Sequence, residues 1–288
     1  MTLDIKLDRE PVAPREAATV ILVRDGVESL EVFCVERSKQ SRFVGGAIVF
    51  PGGKLDPSDY DAAWAPLTTD PRATTAGHSE PFTKDAAHLR ALAIAACRET
   101  LEEATLLFVC GAKKVTDAEL LALRERLTTA PSALRDFLTA HGLKLDLGEL
   151  HAFARWTTPT AEARRFDTRF FLGVAPAEQT GKHDDFETTA SFWARPEDIL
   201  DRNTKNEVTL LPPTNRSLTL LAGCADTEAA IALCAAANLS PICPRIVPMG
   251  DTVAIVLPGD PEHDVRESRV PGPSRFVKRG DQWLPSDG

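Results

Sequence analysis

Apolar and polar residues alternate or cluster in a clear order along this chain. EAATVILV (16–23) and LEVFCV (30–35) are rich in β-branched and apolar residues and flank Arg24-Asp25-Gly26, a pattern that predicts a β-hairpin. A shorter apolar stretch, Ala47 to Phe50, ends at Pro51-Gly52-Gly53 and predicts a strand running into a tight loop. From Asp56 to about Thr83, Pro57, Pro66, Pro71, Gly77 and Pro81 break up any period, so an irregular insertion is expected. Helical spacing then resumes in DAAHLRALAIAACRETLEEA, residues 85–104, free of Gly and Pro, with Thr83 or Asp85 available as N-cap. Further helices are expected over about 117–128 and 132–140, on either side of Pro131. Strands are expected near 150–157, 166–174 and 186–193, then a helix opening at Pro196, where proline is tolerated in the first turn. Helices near 213–222 and 226–237 precede two hairpins, PRIVPMGDTVAIVLPG and RFVKRGDQWL, each with a Gly-Asp turn.

This order of elements predicts an α/β (α+β) fold. The expected organisation is one domain over 1–223, with insertions at about 56–84 and 112–148, and a C-terminal helix and hairpin extension over 224–288 packed on it. With 288 residues, 43% of them hydrophobic, the chain has ample material for a core. Acidic groups outnumber basic ones, 42 to 33, and the net charge of −9 disfavours nucleic acid as a partner. It leaves room for a polyphosphate metabolite, since divalent cations and a few arginines reverse the field locally. Six cysteines without a Cys-x-x-Cys pair read as free thiols. The charged start MTLDIKLDRE lacks the apolar stretch of a signal peptide, and no run approaches the ~18 apolar residues of a membrane span, so a cytoplasmic protein without a membrane partner is expected.

Candidate chemistry lies on the helix at 85–104. Glu99, Glu102 and Glu103, spaced i, i+3 and i+4, share one face, while Ala93, Ile94, Cys97, Leu101 and Ala104 fall opposite and suit packing on a sheet. Arg98 lies four residues before Glu102, close enough to pair with it and orient it. Crowded carboxylates repel unless something positive sits among them, and magnesium, which prefers oxygen ligands, fits that need. Most glutamate-rich helix faces are simply solvated, so the stripe alone decides nothing.

Joined to Gly52-Gly53-Lys54 at the end of a strand, the run Arg98-Glu99-Thr100-Leu101-Glu102-Glu103 resembles the Nudix box. The resemblance, over roughly 16–223, implies an α/β/α sandwich with a mixed central sheet, and magnesium or manganese held in a loop-helix-loop. It implies Glu102 and Glu103 as metal ligands, Glu99 as ligand or general base, and Gly52 as a carbonyl donor. Three positions depart from the pattern. The box is split by about thirty-five residues after Leu55; Arg90 stands eight before Arg98, where an early glutamate is expected; Thr105 replaces the closing glycine.

FPGG, a long insertion, then Arg-Glu-x-x-Glu-Glu is similar to the acyl-coenzyme A diphosphatases. Upstream, Arg37-Ser38 followed by Arg42, Gly46 and Phe50-Pro51-Gly52-Gly53 matches the spacing of the coenzyme A accessory motif, although Phe33-Cys34-Val35 replaces its leading Leu-Leu-Thr. The resemblance implies that Arg37 and Arg42 grip the 3′-phosphate of coenzyme A, a task suited to guanidinium forks. Lys54 would meet phosphoryl oxygens. Glu187, with Asp184 and Asp185 beside it, would add a ligand or the catalytic base. The expected reaction is hydrolysis of coenzyme A or acyl-coenzyme A to 3′,5′-ADP and a 4′-phosphopantetheine species. The alternatives are hydrolysis of ADP-ribose or NADH, and a Nudix-fold module that binds a nucleotide without cleaving it. The C-terminal hairpins are expected either to cover a sheet edge or to form a homodimer contact.

Overall fold

The computed structural model describes residues 6, 10–37, 46–71, 80–182, 188–280 and 282–286. Strands β1 (Arg15–Asp25) and β2 (Leu30–Arg37) form the expected hairpin, with Val23 opposite Val32. β1 is buried on both faces from Val20 to Val23, as befits a central strand. On one side it pairs antiparallel with β2 and with β4 (Gly52–Lys54); on the other it runs parallel to β8 (Phe166–Val174). β3 (Ile48–Val49) and β9 (Thr188–Ala194) pair with β2, and β7 (His151–Thr157) with β8, which completes a mixed seven-stranded sheet. The single strand expected at 47–50 is thus two, because Pro51 supplies no N–H and the chain leaves β2 there to join β1.

Helix α1 (Ala86–Ala104) crosses one face of this sheet, capped by Asp85, whose Oδ1 accepts the His88 N–H at 2.8 Å. Every residue from Ala91 to Cys97 is buried, so the helix is not the one-sided amphipath its sequence suggests. Its outer side is covered by α2 (Asp117–Leu127) and α3 (Ala133–His141), whose Leu120, Leu123, Phe137 and Leu138 join Ala18, Val20, Leu92 and Leu101 in one core. The short pair β5 (Val109–Cys110) and β6 (Lys144–Leu145) closes this helical insert. The segment after Leu55 forms two 3₁₀ turns, Pro57–Tyr60 and Ala62–Leu67.

The other face is covered by α4 (Pro196–Thr204), α5 (Pro212–Leu221) and α6 (Thr227–Ala235). Against these packs a four-stranded antiparallel sheet of β10 (Arg245–Met249), β11 (Thr252–Val256), β12 (Arg275–Arg279) and β13 (Gln282–Ser286). Ile246, Ile255, Phe276 and Trp283 of this sheet share a core with Ile21, Phe170 and Leu218. Just before β10, Ile242 exchanges backbone hydrogen bonds with Arg155 and Thr157 and so covers the open edge of β7. All six cysteines are free thiols, four of them buried. Among the described residues no helix is long and apolar enough to cross a membrane.

Candidate active site

The last turn of α1 meets β4. The ladder that holds β4 against β1 is flanked by Val20 N–H to Pro51 O at 2.9 Å and Leu55 N–H to Glu16 O at 3.1 Å. Between them Gly52 turns its N–H away from β1 and donates it to Glu103 Oε2 at 2.9 Å. In a strand the N–H and C=O of one residue point to the same side, so the Gly52 carbonyl also faces the end of α1. Gly53 pairs with Ala18 and presents its Cα to Glu99; a methyl group there would lie 2.4–2.5 Å from all three carboxylate atoms of that side chain. Both glycines are therefore required by close approach rather than by an unusual backbone.

Arg98 organises the carboxylates. Its Nη1 donates to Glu99 Oε1 at 2.8 Å and to Glu102 Oε1 at 3.3 Å, and its Nη2 donates to the Lys54 carbonyl at 3.0 Å. Nε and Nη2 reach the two oxygens of Asp59, at 3.4 and 3.3 Å. Burial works against the charge of Arg98, but Glu99 and Asp59 outweigh it and raise its pKa. Glu99 is pushed up to about 7 by burial first, with Arg98 opposing and Glu102 adding to the rise. One guanidinium thus serves three carboxylates, and the cluster carries more negative charge than it balances.

Asp59 escaped the sequence reading. It lies in the 3₁₀ turn after β4, only 2% exposed, and its Oδ2 also accepts the Asp56 N–H at 2.8 Å in a capping box. Counting back from Arg98 leads to Arg90; counting forward from Gly53 leads within six residues to Asp59. The acid expected before the helix is present, and the long insertion follows it instead of preceding it.

Thr105, at the closing glycine position, is left-handed, with φ 54° and ψ 37°. Its hydroxyl donates to Lys182 O at 2.7 Å and accepts from Arg124 Nη1 at 2.5 Å. These bonds hold a β-branched residue where glycine is the natural choice.

Glu99, Glu102, Glu103, Arg98, Gly52 and the Lys54 carbonyl therefore come together. Strand alternation turns the exposed Lys54 side chain to the face opposite that of Gly53, so its backbone, not its ammonium, enters the cluster. Arg37 ends β2, where its N–H donates to Ala47 O at 3.0 Å and its carbonyl accepts from Gly46 at 3.0 Å. Arg42 and Glu187, and with them His183, Asp184 and Asp185, lie outside the described residues.

A second charged set lies on the same sheet face, near the start of α1. Arg169, 1% exposed, bonds the Phe82 carbonyl at 3.0 Å and pairs with Asp167 at 2.9 Å, while Arg155 pairs with the same acid at 2.8 Å. These bonds tie the returning end of the first insertion to β8.

Among the described residues no three His, Cys, Asp or Glu side chains enclose a metal position by themselves. Magnesium takes one or two carboxylates and leaves its other positions to water and substrate phosphates. The donor set of hard oxygens, the excess negative charge and the inward-facing Gly52 carbonyl all fit a divalent cation at this end of α1.

Known proteins give the same picture. Residues 14–221 match the family model described as the NUDT19 Nudix domain. The chain is 27% identical over 247 residues to the acyl-coenzyme A diphosphatase NUDT19 of Gallus gallus, a match covering 69% of this chain and 65% of that protein. It is 28% identical over 272 residues to the human protein of the same name, covering 81% and 72% respectively. The match thus spans less than two thirds of the chicken relative's length. Among solved structures, a NUDIX hydrolase from Alicyclobacillus acidocaldarius superposes with a TM-score of 0.63 at 32% identity, over 79% of this chain and 97% of that one. By its sequence match and by the glycine strand laid against the acidic end of its first helix, this chain belongs to the Nudix family, in the branch of the NUDT19 Nudix domain.

Proposed function

We propose that the chain hydrolyses the diphosphate linkage of coenzyme A or an acyl-coenzyme A, releasing 3′,5′-ADP and a 4′-phosphopantetheine species. The observation that carries the reading is the meeting of Glu103 with Gly52 and of Glu99 with Gly53, with Glu102 joined to Glu99 through Arg98. The names of the curated relatives favour coenzyme A species over other diphosphates.

Nudix hydrolases generally use divalent metals, and magnesium or manganese fits the oxygen donors here. Such an ion, when bound, screens the phosphate charge and acidifies a coordinated water. Glu102, Glu103 and the Gly52 carbonyl would hold it. Glu99, fixed between Gly53 and Arg98, is placed to hold a ligand position or to take the proton of the attacking water. The water oxygen bonds to one phosphorus while the bridging P–O bond breaks and the other phosphate leaves. Arg98 acts as a positioning residue, since all its described bonds go to the protein's own oxygens. Arg37 and Arg42 would supply positive charge for the 3′-phosphate, Lys54 contributes its carbonyl to Arg98 and not its ammonium to the cluster, and Glu187 remains the candidate for an added ligand or base.

The test is a hydrolysis panel of coenzyme A, acyl-coenzyme A, dephospho-coenzyme A, NADH and ADP-ribose with magnesium or manganese. Coenzyme A species should be preferred, and Glu102→Gln and Glu103→Gln should each slow turnover by ~10²-fold or more. Preference for ADP-ribose or NADH would overturn the substrate, and unchanged rates in both variants would overturn the site.

A further inference from the structure

The sheet face opposite the carboxylate cluster carries a cavity that diphosphate chemistry does not use. It measures about 390 Å³ and lies between β7, α5, the end of α6 and the segment 268–271. Such a volume falls within the range of small-molecule sites, about 300–1,000 Å³. Part of its wall is apolar, including Phe153, Trp156, Leu220 and Leu233. Among the described residues its charged groups are Arg216 and Arg269, with neither Asp nor Glu in its lining.

Arg216 is 2% exposed and Ser217 is 1% exposed, side by side on α5. Nη2 of Arg216 donates to the Pro271 carbonyl, and Nη1 of Arg269 to the Pro241 carbonyl. The Nε atoms of both arginines and the Ser217 hydroxyl are buried with no hydrogen-bond partner among the described residues. Arg169, equally buried, shows the usual arrangement, with Asp167 at 2.9 Å. Among the described residues Arg216 has no such acid, and burial pulls its pKa down. A buried guanidinium without a counter-charge is costly in general, and native proteins leave few buried donors unpaired.

We propose that this cavity binds a small organic anion, a carboxylate with an apolar chain. Its head is held by Arg216, Arg269 and the Ser217 hydroxyl, and its chain lies against Trp156, Phe153, Leu220 and Leu233. Guanidinium forks match the two oxygens of a carboxylate, and the hydroxyl supplies a further donor. Trp156 and Ala154 lie on the sheet face away from Ala18 and Gly53, so the anion occupies a site separate from the carboxylates that would handle a diphosphate. The proposal stands whether or not the chain hydrolyses coenzyme A.

The experiment titrates the full chain with octanoate, octylamine and inorganic phosphate, followed by calorimetry and by thermal unfolding. Octanoate should bind one to one and raise the unfolding temperature, as a ligand of the folded state must. Phosphate, which lacks the apolar chain, and octylamine, which reverses the head charge, should each bind at least tenfold more weakly. Arg216→Met should weaken octanoate by roughly tenfold or more. Without ligand it should unfold no earlier than the wild type, because it replaces an unpaired buried charge with an apolar side chain of similar length. Arg269→Met, at a half-buried position, repeats the binding test should Arg216→Met fail to fold. Absence of octanoate binding, wild-type affinity in the variant tested, or equal affinity for octylamine or phosphate overturns the proposal.

Discussion

Gly53→Ala isolates the role of the Glu99 carboxylate. The new methyl group would stand 2.4 Å from the carboxylate carbon and Oε2 and 2.5 Å from Oε1, where ordinary contact begins near 3.4 Å. Because all three atoms are too close, rotation of the carboxylate alone gives no relief, and the group must withdraw by about 1 Å, disturbing its 2.8 Å bond to Arg98. The backbone at Gly53 is ordinary strand, and the atoms displaced are the end of a flexible side chain, so the fold should lose no more than ~1 kcal/mol. A displacement of 1 Å at a reacting group costs on the order of 10²-fold in rate. The variant should therefore show kcat on coenzyme A or its acyl thioesters reduced by ~10²-fold, with an unfolding temperature within a few degrees of the wild type. A double-variant cycle with Glu99→Gln makes the test strict. If the methyl group acts by moving Glu99, then Gly53→Ala on top of Glu99→Gln should slow the enzyme little further. Wild-type turnover in Gly53→Ala, or effects that multiply in the double variant, would refute the placement of Glu99 at the reaction centre.

Asp59→Asn removes the buried charge that faces Arg98; turnover should fall by ~10-fold, less than for loss of a glutamate, and the unfolding temperature should drop, both measurable on one preparation. Thr105→Gly and Thr105→Ala both lose the hydroxyl, so their difference isolates the left-handed backbone. The glycine variant should be more stable by ~1–2 kcal/mol in urea unfolding, and equal stabilities would contradict the φ of 54°. Asp260 is buried, and although burial raises its pKa, Arg275 at 2.8 Å and the Glu262 N–H outweigh that and hold it below the usual carboxylate range. A depressed folded-state value contributes stability above the unfolded pKa of about 3.9 and loses it as pH falls through the folded value. Asp260→Asn should thus unfold at lower urea than the wild type at pH 7, with the gap narrowing below about pH 4; a gap independent of pH would refute the charge pairing.

Local patterns were legible wherever one face or one turn decided the structure. The hairpin at 15–37, the helix from Pro196 and both C-terminal hairpins follow from alternation and turn residues, and the observed bounds agree within a few residues. Long-range pairing was not written locally. Nothing between Ala47 and Lys54 shows that the chain passes from β2 to β1 at Pro51, a step set by which sheet edge is free. The burial of α1 on nearly all sides was hidden for the same reason. Its alanines suit close packing against both the sheet and the helical insert, but the residues that cover its outer side, such as Leu120 and Phe137, come from a segment with its own local pattern.

The acidic site divides along the same line. Glu99, Glu102 and Glu103 were legible because i, i+3 and i+4 spacing on one helix fixes their common face whatever the rest of the chain does. The i, i+4 spacing pairs Arg98 with Glu102. In the fold it also binds Glu99, Asp59 and the Lys54 carbonyl, because the guanidinium sits between the helix, β4 and the 3₁₀ turn that follows. Distance along the chain from Arg98 misleads here: the insertion separates Asp59 from Arg98 by 39 positions yet leaves its carboxylate 3.3 Å away. What the chain preserves is the short path from Gly53 to Asp59. That path is fixed because Gly53 must lie against Glu99 while Asp59 reaches the arginine beside it. The long insertion is tolerated where it occurs because it begins only after both contacts have been made.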